Sequence, residues 1–245
     1  MPRTILRDRL LHLARPLRKT PFHPQWLIFR SKNIFHARIA HKARGLVLDI
    51  GAGEGSIREA LPGDCTYLAL DYYRTAVEWY GTRPHIFGDA QDLPIATARI
   101  DTLLLLDVLE HLPSPERALG ECFRVLRPGG RLLLQVPFLY PVHDAPRDFT
   151  RWTRFGIERI AQRAGFRVEE IAATSSPAAA WGTLAAMGSA HSVLAWLERR
   201  HIAALAILLL PVLVVLFNLT AAAADSMSEA DPDFCQGYLA ALVKP

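Results

Sequence analysis

The spacing of apolar and polar residues changes several times along the chain, and these changes mark out the predicted elements. Residues 3–18 and 24–42 carry apolar side chains at helical spacing, and three prolines separate the two segments. From residue 45 onward, short apolar runs alternate with amphipathic segments. Six strands are predicted from the runs GLVLDI, TYLALD, PHIFGD, RIDTLLLLDV, RLLLQVP and FRVEEIAA. The helices between them are predicted from SIREAL, RTAVEWY, SPERALGECFRVL, with Ser114 as its N-cap, and TRFGIERIAQRAG. This alternation predicts an α/β fold, with a doubly wound, mostly parallel sheet and helices on both faces.

Two long apolar segments lie between the sixth predicted strand and the strand-like FCQGYLAALVKP at the end of the sequence. They are residues 178–197 and 202–219, and the second has no polar side chain from Ile202 to Phe217. The polar sequence ERRH between them predicts a helical hairpin, which returns the chain to the side it left. Because Pro211 and His191 interrupt the two segments, we expect the hairpin to lie in a membrane interface rather than to span the bilayer. Packing on the protein body or in a dimer is the alternative.

Charge is distributed unevenly between the start of the chain and the rest. Residues 1–44 carry a net charge of +10, whereas the remaining residues carry −6. A basic amphipathic arm on an acidic body indicates an anionic partner such as a membrane surface or a nucleic acid. The three cysteines are widely spaced, so we expect a reducing compartment, no disulfide scaffold and no metal site. The first residues lack the unbroken apolar run of a secretory signal, so we expect a cytoplasmic-facing protein.

A glycine-rich loop follows the first predicted strand, in LDIGAGEGS. Ligands of open α/β sheets bind at the carboxyl ends of the strands, where glycine lets the backbone approach a cofactor. Asp71 ends the second strand and Asp89 follows the third, which describes a pocket for an adenosine. A nicotinamide dinucleotide and S-adenosylmethionine both fit such a pocket. The G-x-G-x-G spacing differs from the dinucleotide fingerprint. Asp49 and Glu54 also make the loop acidic, which favours the cationic sulfonium.

The central part of the chain resembles the class I S-adenosylmethionine-dependent methyltransferases, and most closely the group that includes the ubiquinone and menaquinone biosynthesis enzymes. The resemblance is carried by VLDIGAGEG, LALD, GDAQDLP and LLLLDVLEHLPSPERALGECFRVLRPGGRLLLQVP. It implies a seven-stranded sheet whose last strand is antiparallel and lies beside the fifth, with the apolar hairpin inserted before that last strand. It also implies S-adenosylmethionine as the cofactor.

The resemblance also implies which residues contact the cofactor. The implied contacts are Asp49, Gly51 and Gly53 for the methionine part, Asp71 for the ribose, Asp89 with the Ala90 backbone for the adenine, and Asp107 at the rim of the site. The pair Glu110-His111 matches the family as well. A capping role at the start of the next helix is an equal alternative for that pair.

The loop PFLYPVHDAPRDFTRWT, residues 137–153, follows the fifth strand and is the expected acceptor site. It resembles an HDxPxDYxRYT loop found in some family members, although Phe149 and Trp152 replace the two tyrosines. If the acceptor is a hydroxyl, a base near neutral pKa accelerates the transfer. His143 is the first candidate for this base, with Asp144 as the residue that orients it.

The remaining residues of the site are assigned to the same loop and its neighbour. His111 is the alternative base. Arg147, Arg151 and Trp152 are candidates for binding the acceptor, with Arg147 and Arg151 holding an anionic group unless Asp148 pairs with them. The alternative is that His143 and Asp144 only shape the loop.

The predicted function is methyl transfer to a small or lipid-linked amphipathic acceptor at the cytoplasmic side of the inner membrane. A soluble cytoplasmic location is the alternative. Two other functions remain open: an RNA methyltransferase that uses the basic arm, and a non-catalytic membrane scaffold. The predicted domains are a basic arm at 1–44, a methyltransferase core at 45–176, the apolar hairpin at 177–220 and a final strand at 221–245.

Overall fold

The computed structural model describes residues 15–245, so most of the helix predicted at 3–18 lies outside the described residues. The described chain forms two units. The sheet unit comprises Asn33–Thr174 and Gln236–Pro245, and the helical unit comprises residues 15–32 and Ser175–Cys235. The last strand therefore belongs to the sheet unit, although the helical unit comes just before it in the sequence.

The sheet unit contains a seven-stranded sheet in the order β3-β2-β1-β4-β5-β7-β6. The strands are β1 Leu46–Ile50, β2 Thr66–Asp71, β3 Ile86–Phe87, β4 Ile100–Leu106, β5 Leu126–Pro137, β6 Arg167–Ala173 and β7 Gly237–Val243. Strands β1 to β5 pair in parallel, whereas β7 runs antiparallel between β5 and β6. The predicted doubly wound, mostly parallel sheet with an antiparallel last strand is confirmed.

Apolar sequence explains why the central strands lie inside the sheet unit. The leucines Leu103, Leu104 and Leu105 of β4 are fully buried, because parallel strands with helices on both faces have no solvent side. The helices are α1 Trp26–Lys42, whose later part belongs to the sheet unit, α2 Pro115–Val125 and α3 Arg154–Arg163. Arg38 and Lys42 on α1 form ion pairs with Glu170 of β6.

Several local predictions in the sheet unit differ from the structure. The predicted helix SIREAL is only a 3-10 turn, Arg58–Ala60, because Leu61 precedes a proline and is extended. The helix predicted from RTAVEWY is present, but as a π-helix, Thr75–Tyr80, which Gly81 ends in the left-handed region. Ser114 precedes α2 without a capping bond from its side chain.

The helical unit contains two helices joined through a 3-10 helix: α4 Pro177–Glu198, the 3-10 helix Ile202–Leu208, and α5 Leu210–Asp225. The Ser176 hydroxyl donates to the Asp225 carboxylate at 2.6 Å, so the start of α4 meets the end of α5. A Cβ added to Gly182 would lie 2.2 Å from the Ala221 methyl group. This close approach requires glycine and lets the two helices pack tightly.

The second apolar segment is bent rather than continuous. Pro211 lies in the first turn of α5, where its missing N–H costs nothing, and not in the middle of a helix as the sequence suggested. Among the described residues, no single helix has the length and apolar character of a membrane span. The pair Ile202–Leu208 and Leu210–Asp225, bent by 58° at its break, meets that test together.

An apolar stripe runs along the outer side of this bent pair. Its members are exposed leucines, isoleucine and valine at helical spacing: Ile202, Leu205, Leu208, Leu209, Val212, Leu213, Leu216 and Leu219. The opposite side of α5 is buried, and Asn218 there donates to the backbone carbonyl oxygens of Pro21 and His23 at 2.7 and 2.9 Å. The helical unit thus has one packed face and one face whose apolar side chains are 38–79% exposed.

Candidate active site

The glycine loop turns tightly after β1. Gly51 and Gly53 have φ values of 74° and 52°, in the left-handed region that favours glycine. A Cβ on Gly51 would lie 2.4 Å from a methyl group of Val108, so only glycine fits there. The Gly51 amide donates to the Leu70 carbonyl oxygen at 2.8 Å, which ties the loop to β2.

Asp71 holds the glycine loop from the end of β2. One of its carboxylate oxygens accepts from the Gly53 amide at 2.8 Å, and the other accepts from the Tyr72 amide at 2.7 Å. Each oxygen of a carboxylate has a further lone pair, so both can still accept a ribose hydroxyl. Burial raises the pKa of Asp71, while the two amides lower it.

Asp49 lies below the loop at the end of β1 and is buried. Its carboxylate accepts from the Tyr67 hydroxyl at 2.7 Å. Burial raises the pKa of Asp49 to about 6; the Tyr67 hydrogen bond lowers it, and the nearby Asp71 charge raises it further. A nearby cation would favour the ionised form, because it would offset the cost of burying the charge.

The other residues predicted to contact the cofactor lie at the ends of β3 and β4. The Asp89 carboxylate accepts from the Gln91 backbone amide at 2.8 Å, and Ala90 beside it is buried. Asp107 has a positive φ of 54° and accepts from the Gln135 side chain at 2.9 Å. These residues thus lie just after the ends of their strands, as predicted. Their roles in binding the cofactor stay predictions.

Tyr80 is a residue of this site that the sequence did not single out. Its ring lies 3.5 Å from the position of a Cβ on Gly53. Partial burial raises the pKa of Tyr80, and four negative charges raise it further: Asp144, Asp71, Glu54 and Asp107. Tyr80 thus lies where carboxylates from four segments converge, which makes the cleft strongly acidic. The π-helical turn that carries it gave no recognisable signal in the sequence.

His143 is held by a different acid from the predicted one. Its backbone amide donates to the Asp148 carboxylate at 2.8 Å, and its Nδ1 lies 3.2 Å from the same oxygen. Asp144, the predicted orienting residue, has a positive φ of 49°, and its carbonyl accepts from the Arg147 amide. The acid that contacts the His143 ring is therefore Asp148, which the tight turn brings back onto the imidazole, and the orienting role of Asp144 stays a prediction.

The two arginines of the loop have different surroundings. Arg151 forms a two-pronged pair with Asp148 and donates to the carbonyl oxygens of Tyr140 and Pro141. This pairing was the alternative left open for it, so Arg151 is engaged in holding the loop.

Arg147 lies elsewhere, over the aromatic rings of Tyr72 and Trp79, each 5.9 Å away. Both rings are exposed. The Trp152 indole N–H is buried, and no described residue accepts a hydrogen bond from it.

Glu110 is the least expected residue of the site. Its side chain is 0% exposed, and neither carboxylate oxygen has a hydrogen-bond partner among the residues that the structure describes. Burial, followed by the charge of Asp107, raises the pKa of Glu110 to about 9. The sequence placed Glu110 beside His111 but gave no sign that the carboxylate is buried, because both residues are polar and precede a helix.

Comparison with known proteins agrees with the fold and with the glycine loop. A family model described as a methyltransferase domain matches residues 48–134. A probable S-adenosylmethionine-dependent methyltransferase of Mycolicibacterium smegmatis is 32% identical over 154 residues, covering 58% of this chain and 60% of that protein. A ubiquinone/menaquinone biosynthesis C-methyltransferase of Methylobacterium nodulans is 31% identical over 132 residues, covering 51% of this chain and 52% of that protein.

The chain thus spans a little more than half the length of these two relatives. Among solved structures, the cyclase SpnF superimposes with a TM-score of 0.52 at 17% identity, covering 89% of this chain and 81% of that one. That likeness concerns the fold alone. The family match, the relatives and the acidic glycine loop agree, and the chain carries a class I S-adenosylmethionine-dependent methyltransferase domain.

Proposed function

We propose that this protein transfers a methyl group from S-adenosylmethionine to a lipid-linked or otherwise amphipathic acceptor at the cytoplasmic face of the inner membrane. The methyltransferase domain supports the reaction. The single observation that carries the choice of acceptor is the exposed apolar stripe of the helical unit, because surfaces of this kind mark membrane or partner contacts.

The acidic cleft of the sheet unit fits the cofactor. Bound S-adenosylmethionine supplies an electrophilic methyl group on a positively charged sulfur. The carboxylates of Asp49, Asp71 and Asp107 lie around the glycine loop, and their field attracts a cation to it. Asp71 fixes the loop through the Gly53 amide, so the backbone at the cofactor position is held before binding. We assign Asp89 and Ala90 to the adenine end on the basis of their position after β3.

The acceptor side is lined by aromatic rings and one arginine. The Arg147 guanidinium lies over Tyr72 and Trp79, and both rings are exposed. This arrangement suits an acceptor with an apolar or aromatic part and an anionic group, because the rings cover the first and Arg147 attracts the second. Arg151, which is paired with Asp148, positions the loop instead.

Removal of a proton from a hydroxyl acceptor is assigned to the cluster of Glu110, His111 and His143. The two imidazole rings pack edge to face, with centroids 4.8 Å apart. Burial lowers the pKa of His143, followed by the influence of His111. His143 is therefore neutral at physiological pH, as proton acceptance requires. Positioning of the acceptor and exclusion of water supply the remainder of the acceleration.

The apolar stripe favours a membrane as the contact surface. A fully buried leucine contributes roughly 1.5–3 kcal/mol, so partial insertion of several such side chains gives substantial binding. Arg199 and Arg200 are exposed in the turn immediately before the stripe begins at Ile202. Each basic residue near an anionic leaflet adds about 1 kcal/mol. Apolar insertion and charge attraction thus act in the same short segment.

Flotation with liposomes tests the membrane contact. Wild-type protein is expected to float with vesicles that contain anionic lipid, at low and at high salt. The variant Leu205→Glu/Leu208→Glu is expected to stay at the bottom of the gradient at high salt. The matched control Val77→Glu/Phe155→Glu places the same charges on exposed apolar residues of the sheet unit outside the basic arm and is expected to float. Equal flotation of both variants, or none by the wild type, contradicts the proposal.

Methyl transfer to extracted membrane lipids tests the reaction itself. Labelled S-adenosylmethionine is incubated with lipid extracts and, separately, with total RNA. Transfer into an organic-soluble product that Asp71→Ala abolishes supports the proposal. Transfer only into RNA instead supports the function that was the alternative, in which the basic arm binds nucleic acid. No transfer into either fraction contradicts the assignment of a lipid-linked acceptor.

A further inference from the structure

Three side chains from two separate segments meet beside the acceptor loop. Glu110 and His111 lie in the 3-10 turn after β4, and His143 lies in the loop after β5. One Glu110 oxygen is 3.6 Å from His111 Nε2 and 3.7 Å from His143 Nε2. One ligand atom from each of the three residues lies within 4.8 Å of the others. Ligands about 2.0–2.2 Å from a tetrahedral zinc ion stand roughly 3.3–3.6 Å apart, so these separations are close to those of a metal centre.

His111 presents the right nitrogen to this centre. Its Nδ1 lies 2.7 Å from the backbone carbonyl oxygen of Arg147. A carbonyl only accepts hydrogen bonds, so Nδ1 carries the proton and donates it. The lone pair of the neutral ring is therefore on Nε2, which faces Glu110. Metal-binding histidines are commonly held in this way, with the second nitrogen donating to a carbonyl or carboxylate.

His143 has two neighbours at Nδ1, an acid and an arginine. Its Nδ1 lies 3.2 Å from an Asp148 carboxylate oxygen and 3.4 Å from an Arg151 nitrogen. The Arg151 guanidinium only donates, so in its hydrogen bond with this ring Nδ1 is the acceptor. The tautomer that binds a metal through Nε2 carries its proton on Nδ1, and the nearby Asp148 carboxylate is the acceptor for that proton. Metal binding therefore moves the proton of the neutral ring from Nε2 to Nδ1 and leaves the Nε2 lone pair facing Glu110. Asp148 and Arg151 form an ion pair, so their opposite charges largely cancel beside the cluster.

Glu110 lacks the partner that a buried carboxylate requires. Within residues 15–245, no donor makes a hydrogen bond to either of its carboxylate oxygens, although the side chain is fully buried. Both histidine nitrogens are too far away for hydrogen bonds, which need separations near 3 Å. An unpaired buried polar group is destabilising, and more so if it is charged. A cation between the three ligand atoms satisfies the carboxylate and both lone pairs at once.

We propose that Glu110, His111 and His143 bind one divalent transition-metal ion of the zinc type. Two imidazoles with one carboxylate favour Zn²⁺, Co²⁺ or Fe²⁺ over Mg²⁺ and Ca²⁺, which prefer oxygen ligands. Three protein ligands leave an open position, as in catalytic rather than structural zinc sites. The cysteine spacing gave no hint of this centre, because its ligands come from segments that meet only in the fold.

The ion would act on the acceptor by binding its hydroxyl at the open position and lowering the pKa of that hydroxyl. The hydroxyl proton then passes to water, and the oxygen keeps the electron pair for attack on the methyl group. This use of the site rests on the proposed function, whereas binding of the ion does not. In this role the histidines act as ligands, and neither needs to accept the proton itself.

Cobalt titration of the full chain tests the site without any acceptor or activity. Protein stripped with a chelator is titrated with Co²⁺, and the visible absorption of imidazole-bound cobalt is recorded. One equivalent is expected to bind, and Zn²⁺ is expected to displace it. Mg²⁺ in excess is expected to leave the spectrum unchanged.

Three variants locate the ligands. Asp148→Asn is expected to weaken binding by about 10–100-fold, as is usual for residues that orient a ligand. Glu110→Gln and His143→Gln, which remove a ligand atom, are expected to weaken it beyond that range. His41→Gln removes an exposed histidine elsewhere in the sheet unit and is expected to bind like the wild type. Binding of S-adenosylmethionine by each variant, measured in calorimetry, checks that the domain is folded.

The results separate the metal site from the proposed function. Cobalt binding that depends on Glu110 and His143 supports the site even if no acceptor is ever methylated. Absence of an imidazole–cobalt spectrum, or equal affinity in the wild type and His143→Gln, overturns the site. In that case, methyl transfer that continues after a chelator is added would indicate that the His143 ring, with no metal bound, accepts the proton of the acceptor hydroxyl.

Discussion

Two apolar stretches of similar composition have opposite environments in this protein. In β4, Leu103, Leu104 and Leu105 are all 0% exposed, because strands and helices cover both faces of the sheet. In the helical unit, Ile202 and Leu208 are 79% and 76% exposed. Apolar sequence therefore does not decide burial within the chain. What differs is whether the fold supplies a covering layer.

The largest effect is expected in the free energy of unfolding, when one leucine is truncated to alanine in each of the two environments. Leu104→Ala leaves a cavity in the sheet and is expected to lower the free energy of unfolding by about 2–5 kcal/mol. Leu208→Ala removes only exposed atoms and is expected to change it by less than about 0.5 kcal/mol. Urea unfolding of both variants, without lipid or detergent, makes the comparison. A similar loss in both would show that the stripe is covered by a second copy of the chain.

The inner face of the helical unit is expected to behave like a core. Asn218 is buried and donates to two backbone carbonyls, of Pro21 and His23. Asn218→Ala removes the side-chain donor from both carbonyls, of which that of His23 keeps the Trp26 amide, and it is expected to cost about 1–3 kcal/mol of stability. Leu219→Ala, at the neighbouring exposed position, is the control and is expected to be nearly neutral. Thermal melting followed by circular dichroism measures both; equal melting temperatures would contradict the assignment of a packed face.

In the sheet unit, the buried carboxylate of Asp71 is expected to contribute to cofactor binding. Asp71→Ala frees the glycine loop and removes the acceptor for the ribose. Affinity for S-adenosylmethionine is expected to fall by about 1–3 kcal/mol, or roughly 5- to 150-fold. Asp92→Ala removes an exposed acid of the same unit and is expected to leave the affinity unchanged. Isothermal titration calorimetry measures both, and an unchanged affinity in Asp71→Ala would remove Asp71 from the binding site.

The smallest effect is expected from the protonation of Asp49. The pKa of Asp49 is raised to about 6, so its folded form binds a proton more readily than the unfolded chain does. Its contribution to stability is therefore greatest at low pH and is lost as pH rises through about 6. Affinity for the cofactor is expected to change with pH in the opposite direction and to rise with pH, because the cationic cofactor favours the ionised carboxylate.

Affinity for S-adenosylmethionine is accordingly expected to fall by up to about tenfold per unit as pH drops below about 6. Titrations across this range in wild type and Asp49→Asn test it. The variant is expected to bind more weakly at neutral pH and to lose most of the pH dependence. An identical pH profile in both proteins would assign the dependence to another group.

The local sequence determined most of the sheet unit. Period-two and continuous apolar runs predicted the strands, and the resemblance to a family added the antiparallel last strand between its neighbours. The glycine loop and Asp71 were also readable, because Gly51 must adopt a left-handed conformation against Val108 and the acid follows a strand end. Each of these signals depends on residues close together in the sequence.

The partners of individual side chains could not be read in this way. Asp144 follows His143 directly and was the natural choice to orient it, yet the turn places Asp148 on the imidazole. Tyr80 joins the acidic cleft only because a π-helical turn directs it there. Such choices depend on backbone turns of a few residues, which composition and periodicity do not specify.

By itself, the sequence determined an α/β methyltransferase domain with an apolar insertion, since periodicity and short motifs are local properties of the chain. Only the tertiary structure decided that the insertion exposes one apolar face and that Glu110 is buried without a partner beside His111 and His143. The physical reason is common to both findings. Burial and pairing depend on which distant segments come together, and Glu110 and His143 become neighbours only when β4 and β5 lie side by side.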